Sequence, residues 1–128
     1  MKLWRRFILF YLGGMIYNAI ELLWRGWTHW SMFLLGGLCF LLLGQLSHVS
    51  APLPLLPRAV AGAAVVTMLE LGCGLLVNRS YQVWDYRHMP LNFHGQICLP
   101  FTVLWIGLSL AAFFVYDRLE AGLKRLAY

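Results

Sequence analysis

Four stretches of this chain are too long and too apolar to be hidden inside a soluble domain of its size. They cover about Phe7–Trp24, Trp30–Leu46, Ala59–Val77 and Ile97–Tyr116. Each holds roughly 17–20 residues, which at a rise of about 1.5 Å per residue crosses a hydrocarbon core of about 30 Å. Backbone N–H and C=O groups in lipid have no water to bond, so such segments must be helices that satisfy their own ladders. The chain has 128 residues, 61% hydrophobic and 12% charged. The prediction is a single all-α domain over residues 1–128, a polytopic membrane protein with four transmembrane helices.

The charges then orient the bundle. Lys2, Arg5, Arg6, Arg58, Arg118, Lys124 and Arg125 fall on one side of a four-span arrangement, and Arg25, Arg79 and Arg87 on the other. This bias predicts cytoplasmic termini and an external loop over Tyr81–Gln96, in a plasma or inner membrane. The net charge of +5 therefore reads as anchoring to an anionic leaflet, with the lipid bilayer as partner and no nucleic acid. No cleavable signal is expected, because the apolar run after Met1–Arg6 is long enough to span. Cys39, Cys73 and Cys98 lie in or beside apolar segments without CxxC spacing, which points to small buried hydrophobes.

Between segments two and three, SHVSAPLPLLPR carries Pro52, Pro54 and Pro57 and reads as a stiff turn, with His48 an exposed loop histidine. The many glycines, Gly13-Gly14 and Gly36-Gly37 among them, read as helix–helix contacts. Segments one and three share a faint pattern of glutamate, arginine and tryptophan, as two related helical hairpins would.

Two acids sit inside spans. Glu21 has Arg25 at i+4, on the same helix face, and an ion pair is expected. Glu70 has Val66, Thr67, Cys73 and Gly74 as helix neighbours and no basic residue within a turn. A carboxylate there must find a partner on another element, meet water or carry a proton, which marks it as a functional candidate. The rival expectation is a structural bond to Arg25, Arg79, Arg87 or Gln96.

The polar stretch before segment four is YQVWDYRHMPLNFHGQICLP. Asp85 can accept from Arg87 or Arg79. Trp84 and Tyr86 are expected at headgroup level, and Asn92 and Gly95 supply turn chemistry. The loop is expected to dip toward the membrane over a polar chamber. The candidate solute- or ion-binding set is Glu70, Glu21, Arg25, Arg79, Asp85, Arg87, His88, Asn92, His94 and Gln96, with Trp84, Tyr86 and Gly95 shaping the loop. His88 and His94 match no metal-site spacing, so no metal and no cofactor are expected. No Walker sequence is present, which excludes ATP hydrolysis by this chain itself.

The glutamates in segments one and three, then WDY at 84–86, Phe93, Gly95, Ile97 and Leu99 leading into a helix with Trp105, resemble the type-IV ABC-transporter family. These are small four-helix, permease-like membrane proteins with an uncharacterised eukaryotic transmembrane branch. Phe93 and Gly95 stand closer together here than in the family's pattern, so WDY, Gly95, Ile97 and Leu99 carry the likeness. It implies transport. The residues themselves leave three functions open: a permease binding a small solute, cation or proton, working as a homodimer; an accessory subunit of a larger transporter complex; or a membrane enzyme acting on lipid headgroups. For the enzyme, Glu70 or His88 would be the base and Arg79 and Arg87 the phosphate ligands. The absence of familiar catalytic motifs makes it the least favoured.

Overall fold

A computed structural model describes residues 3–49 and 53–126. Lys2 and Pro52 lie outside the described residues. Within them, four helices run α1 (Leu3–Arg25), α2 (Trp30–Val49), α3 (Leu55–Val77) and α4 (Leu99–Leu126). All four are long and apolar enough to cross a membrane. The all-α, polytopic prediction is borne out, with one addition. The connection from α3 to α4 contains a hairpin of two short strands, β1 (Asn92–Phe93) and β2 (Ile97–Cys98), paired antiparallel with Asn92 opposite Cys98.

Helix ends differ from the sequence reading for local reasons. Pro54 forms the N-cap of α3 and Pro57 sits inside its first turn. The first turn has no intrahelical use for its N–H groups, so proline starts a helix without loss. The proline-rich stretch is therefore partly helix. His48 likewise belongs to the last turn of α2 and not to a loop. Helix α4 continues past Tyr116 to Leu126, through the charged residues that seemed to end it.

The helices alternate in direction, so one end of the bundle carries the α3–α4 connection (the cap end) and the other carries the chain termini. Two cores fill it. One runs from the cap into the middle of the bundle, where Met32, Leu35, Val66, Trp105 and Phe113 belong to the same cluster as Val83 and Trp84 of the connection. Toward the termini, Leu9, Phe40, Tyr116 and Leu123 form a second cluster. The outer faces, including Leu23, Trp24, Leu76 and Phe114, are exposed apolar surface that suits lipid.

Helices α1 and α2 are locked together by two reciprocal sets of glycine and aromatic residues. Gly13 and Gly14 of α1 receive Phe40 and Phe33, and Gly36 and Gly37 of α2 receive Tyr17 and Phe10. A Cβ added at Gly14 would stand 2.7 Å from the carbonyl oxygen of Phe33, and one at Gly37 would stand 2.6 Å from that of Phe10. Backbone cannot step aside as a side-chain tip can. Gly72 and Gly107, by contrast, face open space and make no close helix contact, unlike the packing role expected of the glycines in general. Replacing Gly14 or Gly37 with Val should therefore cost about 3 kcal/mol or more through overpacking. Gly72→Ala, in open space, should be nearly neutral, as read by thermal unfolding in detergent.

Candidate functional site

Asn78, the C-cap residue of α3, organises the cap end. It is fully buried. Its Oδ1 accepts from the backbone N–H groups of Val83 (2.8 Å) and Trp84 (3.1 Å), and its Nδ2 donates to the carbonyl of Trp84 (2.6 Å) and to Gln96 Oε1 (2.9 Å). Gln96 Nε2 returns a bond to the Asn78 carbonyl (3.0 Å), and Trp84 Nε1 donates to the carbonyl of Gln96 (2.8 Å). An amide has both donors and acceptors, so two of them can satisfy each other and a nearby turn without net charge. Gln96, a candidate ligand by sequence, has its amide committed to Asn78. Trp84, expected among headgroups, is 7% exposed and sits in the core.

Around this knot the rest of the connection is tied by short-range bonds. Asp85 accepts from Arg87 through Nε (2.9 Å), Nη2 (2.8 Å) and the backbone N–H (2.9 Å). The Arg87 guanidinium beside it pulls the Asp85 carboxyl down to about 2. Arg87 also lies 4.1 Å over the Tyr81 ring. Arg79 turns back to the Leu75 carbonyl of its own helix, away from Asp85. Asn92 donates to the carbonyls of Met89 and Arg87 and accepts from the N–H of Gly95. His94 and Gly95 hold φ of 53° and 67°, and Gln96 N–H donates to the Phe93 carbonyl, as in a tight hairpin turn with two left-handed residues. The turn chemistry expected of Asn92 and Gly95 is present. His88 and His94 are exposed on its surface.

Beneath the cap lies Glu70, 3% exposed and roughly 10 Å along the helix from the end of α3. Oε2 accepts from the Tyr86 hydroxyl (3.2 Å) and Oε1 from Trp105 Nε1 (3.4 Å). Neither donor was anticipated; the rival expectation named Arg25, Arg79, Arg87 and Gln96. Among the described residues no ion pair includes Glu70, so the carboxylate has no counter-charge. Tyr86 reaches it because its ring stacks on Phe101, 4.8 Å away and nearly parallel. Burial, and after it the nearby Glu70 carboxylate, pushes the Tyr86 hydroxyl well above its ordinary range, so it remains a donor.

Glu21 behaves as its spacing predicts. Arg25 Nε lies 2.6 Å from Glu21 Oε2, while Arg25 also donates to the Val83 carbonyl and lies 3.9 Å over the Trp27 ring. Arg25 thus ties α1 to the cap. The faint repeat does not extend to these contacts, since Glu21 is paired with an arginine and Glu70 is not.

A cavity of about 150 Å³ opens on the side of Glu70 away from the cap. It runs between the helices, and no residue of the α3–α4 connection lines it. Its walls are apolar apart from Glu70, Tyr17 and Ser109. Directly beneath the loop stand the bonded amides of Asn78 and Gln96. At the terminus end, His48 Nε2 lies 3.4 Å from Glu120 Oε1 and 3.9 Å from Asp117 Oδ1, with Lys124 3.6 Å from the same Glu120 oxygen. Sequence reasoning missed this cluster. The i, i+3 spacing of Asp117 and Glu120 was visible, but the helical placement of His48 was not.

Residues 6–127 match the family described as "Putative ABC-transporter type IV". The chain belongs to this family. Its members are permease-like, and the four-helix membrane architecture agrees with that. No curated protein and no solved structure matches the chain.

Two outcomes follow for the cap of this family member. Asn78→Ala would strand the Val83 and Trp84 N–H groups and Gln96 Oε1, and should destabilise the protein by about 3–5 kcal/mol in detergent unfolding. The Asp85–Arg87 pair has its acid depressed, so whatever order it gives the loop is complete above the ordinary aspartate range. That order is lost only as pH falls through about 2. Loop amide exchange in wild type and Asp85→Asn, compared at matched intrinsic rate, should differ at pH 6 and draw together only as pH falls through about 2.

Proposed function

We propose that this permease-like protein carries a small solute coupled to a proton or small cation, which is taken up by Glu70 beneath the cap. The observation that carries this reading is a 3%-exposed carboxylate in a membrane-spanning helix whose two bonding partners, Tyr86 and Trp105, are both neutral. A buried carboxylate with no counter-ion is costly, and a proton or a cation removes that cost. Two neutral donors fit a group that must exist both with and without its cation. A fixed arginine would hold it permanently occupied.

The other candidate residues take supporting places in this reading. Glu21 and Arg25 stand at the rim, where their mutual pairing leaves little net charge. Asp85, Arg87, His88, Asn92, His94 and Arg79 form the polar outer face that a solute meets first, and Gln96 holds the cap over Glu70. The cap faces outward and the termini lie in the cytoplasm, in keeping with the distribution of lysine and arginine. A homodimer would supply the enclosed pathway that four helices alone give poorly. Energy comes from the ion, or from a separate nucleotide-hydrolysing subunit.

The lipid-headgroup enzyme is less well supported. Arg79 bonds its own helix and Arg87 is clamped by Asp85, so neither stands free to hold a phosphate. An accessory role draws support from the rigid cap, which would present a fixed polar surface to a larger partner. Stoichiometric co-purification of that partner, lost on cap mutation, would favour it.

The test is solute-evoked proton or cation flux in proteoliposomes containing a pH- or ion-sensitive dye. Glu70→Gln should abolish the ion flux, and Arg118→Gln, on an exposed face far from the cap, should keep it. Flux unchanged by Glu70→Gln would end the coupling role.

A further inference from the structure

The cavity beside Glu70 is shaped and lined for something other than a bare ion. Its volume of about 150 Å³ equals that of an apolar protein cavity that stays dry and takes up a benzene-sized molecule. Its walls include the aromatic rings of Tyr17, Phe40 and Trp105, with the Glu70 carboxylate as the single anionic group. Tyr17 and Trp105 lie 6.2 Å apart at a tilt of 44°, which leaves ring surface available beside the acid. Ser109, one turn beyond Trp105 on α4, is 1% exposed, also lines this space, and has a hydroxyl with no hydrogen-bond partner. Most of the wall is apolar, so water beside Glu70, Tyr17 and Ser109 would leave the larger part of the space without a fitting occupant.

Entry is available from the side. Helix α1 is zipped onto α2 through the glycine pairs, whereas α1 and α4 touch only lightly. The half-exposed Ile16 and Ile20 of α1 and Ala112 and Val115 of α4 border the cavity. A molecule dissolved in the hydrocarbon region reaches Glu70 by this route without passing the amide knot of the cap.

We infer that this cavity binds a small organic ammonium ion with one apolar, preferably aromatic, group, about the size of benzylamine. The inference rests on the reading of Glu70 as the cation-binding group and names the class of cation. The ammonium bonds to the Glu70 carboxylate. The hydrocarbon fills the space among Tyr17, Phe40 and Trp105, where ring faces favour a neighbouring positive charge. A hydrated metal ion or inorganic cation would leave the apolar volume unfilled, and a neutral hydrocarbon would leave the carboxylate unpaired. The organic cation does both jobs.

The experiment is calorimetric titration of the whole protein in detergent micelles with benzylamine, and with benzyl alcohol as its neutral counterpart, against empty micelles. Wild type should bind benzylamine more tightly. Glu70→Gln should weaken benzylamine by about tenfold or more, the scale of one charge-assisted hydrogen bond, while leaving benzyl alcohol nearly unchanged. Ala112→Phe, which fills the cavity, should remove both. Should either variant unfold, the wild type alone still decides: benzylamine should protect Glu70 from modification by a hydrophobic carbodiimide, read by mass spectrometry, and benzyl alcohol should protect it less. Benzylamine heats no greater than empty micelles, equal binding by Glu70→Gln, binding indifferent to Ala112→Phe, or no protection of Glu70 would each overturn the assignment. Ion-coupled flux without benzylamine binding would remove this ligand class and leave the coupling intact. Benzylamine binding with flux indifferent to Glu70→Gln would do the reverse.

Discussion

The interaction on which this structure most depends is the exchange of hydrogen bonds between two buried amides, Asn78 and Gln96. They lie 18 residues apart, at the two ends of a polar connection that would otherwise hang free of the bundle. Neutral amides can be buried together at modest cost because each supplies what the other lacks. An ion pair at the same place would carry a larger desolvation penalty. With Asn78 also holding the N–H groups of Val83 and Trp84, the chain turns sharply after α3 and inserts Trp84 into the core. Tyr86 then follows at the depth of Glu70. The environment of the acid is thus set by a knot of uncharged groups several residues away.

That environment explains why Glu70 can stay buried without a basic partner. Tyr86 and Trp105 donate from opposite sides, one from the cap and one from α4, so both oxygens are bonded. Two neutral donors lower the cost of the charged form without cancelling its charge. Trp105 is also part of the cavity wall, and it links the acid directly to the apolar space. The cap and the cavity therefore meet at one carboxylate, each from its own side.

Much of this was legible in the sequence, and the reasons for the exceptions are physical. Span count and helical class follow from apolar length alone. The Glu21–Arg25 pair follows from i, i+4 spacing, and the family likeness follows from WDY, Gly95, Ile97 and Leu99. Glu70 announced itself by the lack of any charge within a helical turn. Its partners did not, because Tyr86 and Trp105 are 16 and 35 residues away in sequence. Tryptophan in a membrane protein ordinarily signals the interface, and that prior misplaced Trp84. Polar loop residues invite a ligand-binding reading, and the structure adds partners within the chain: Gln96 bonds Asn78, and Asn92 bonds backbone groups of its own loop. No local pattern distinguishes an amide that binds solute from one that closes a loop.

The packing of α1 explains why a cavity exists beside the acid at all. Glycine pairs on both α1 and α2 bring those backbones close, and each side's aromatic rings fill the other's gaps. Helix α4 packs chiefly on α3 and next on α2, and meets α1 only lightly, in the cluster of Leu9, Tyr116 and Leu123 toward the termini and at Tyr17 beside Trp105. The residues that border the cavity include the small Gly13, Ala111 and Ala112, which do little to fill it. A void of this kind forfeits dispersion contacts along its lining. The same small-residue chemistry that tightens one side of the bundle therefore leaves the other side open, at the depth of its only uncompensated buried carboxylate among the described residues.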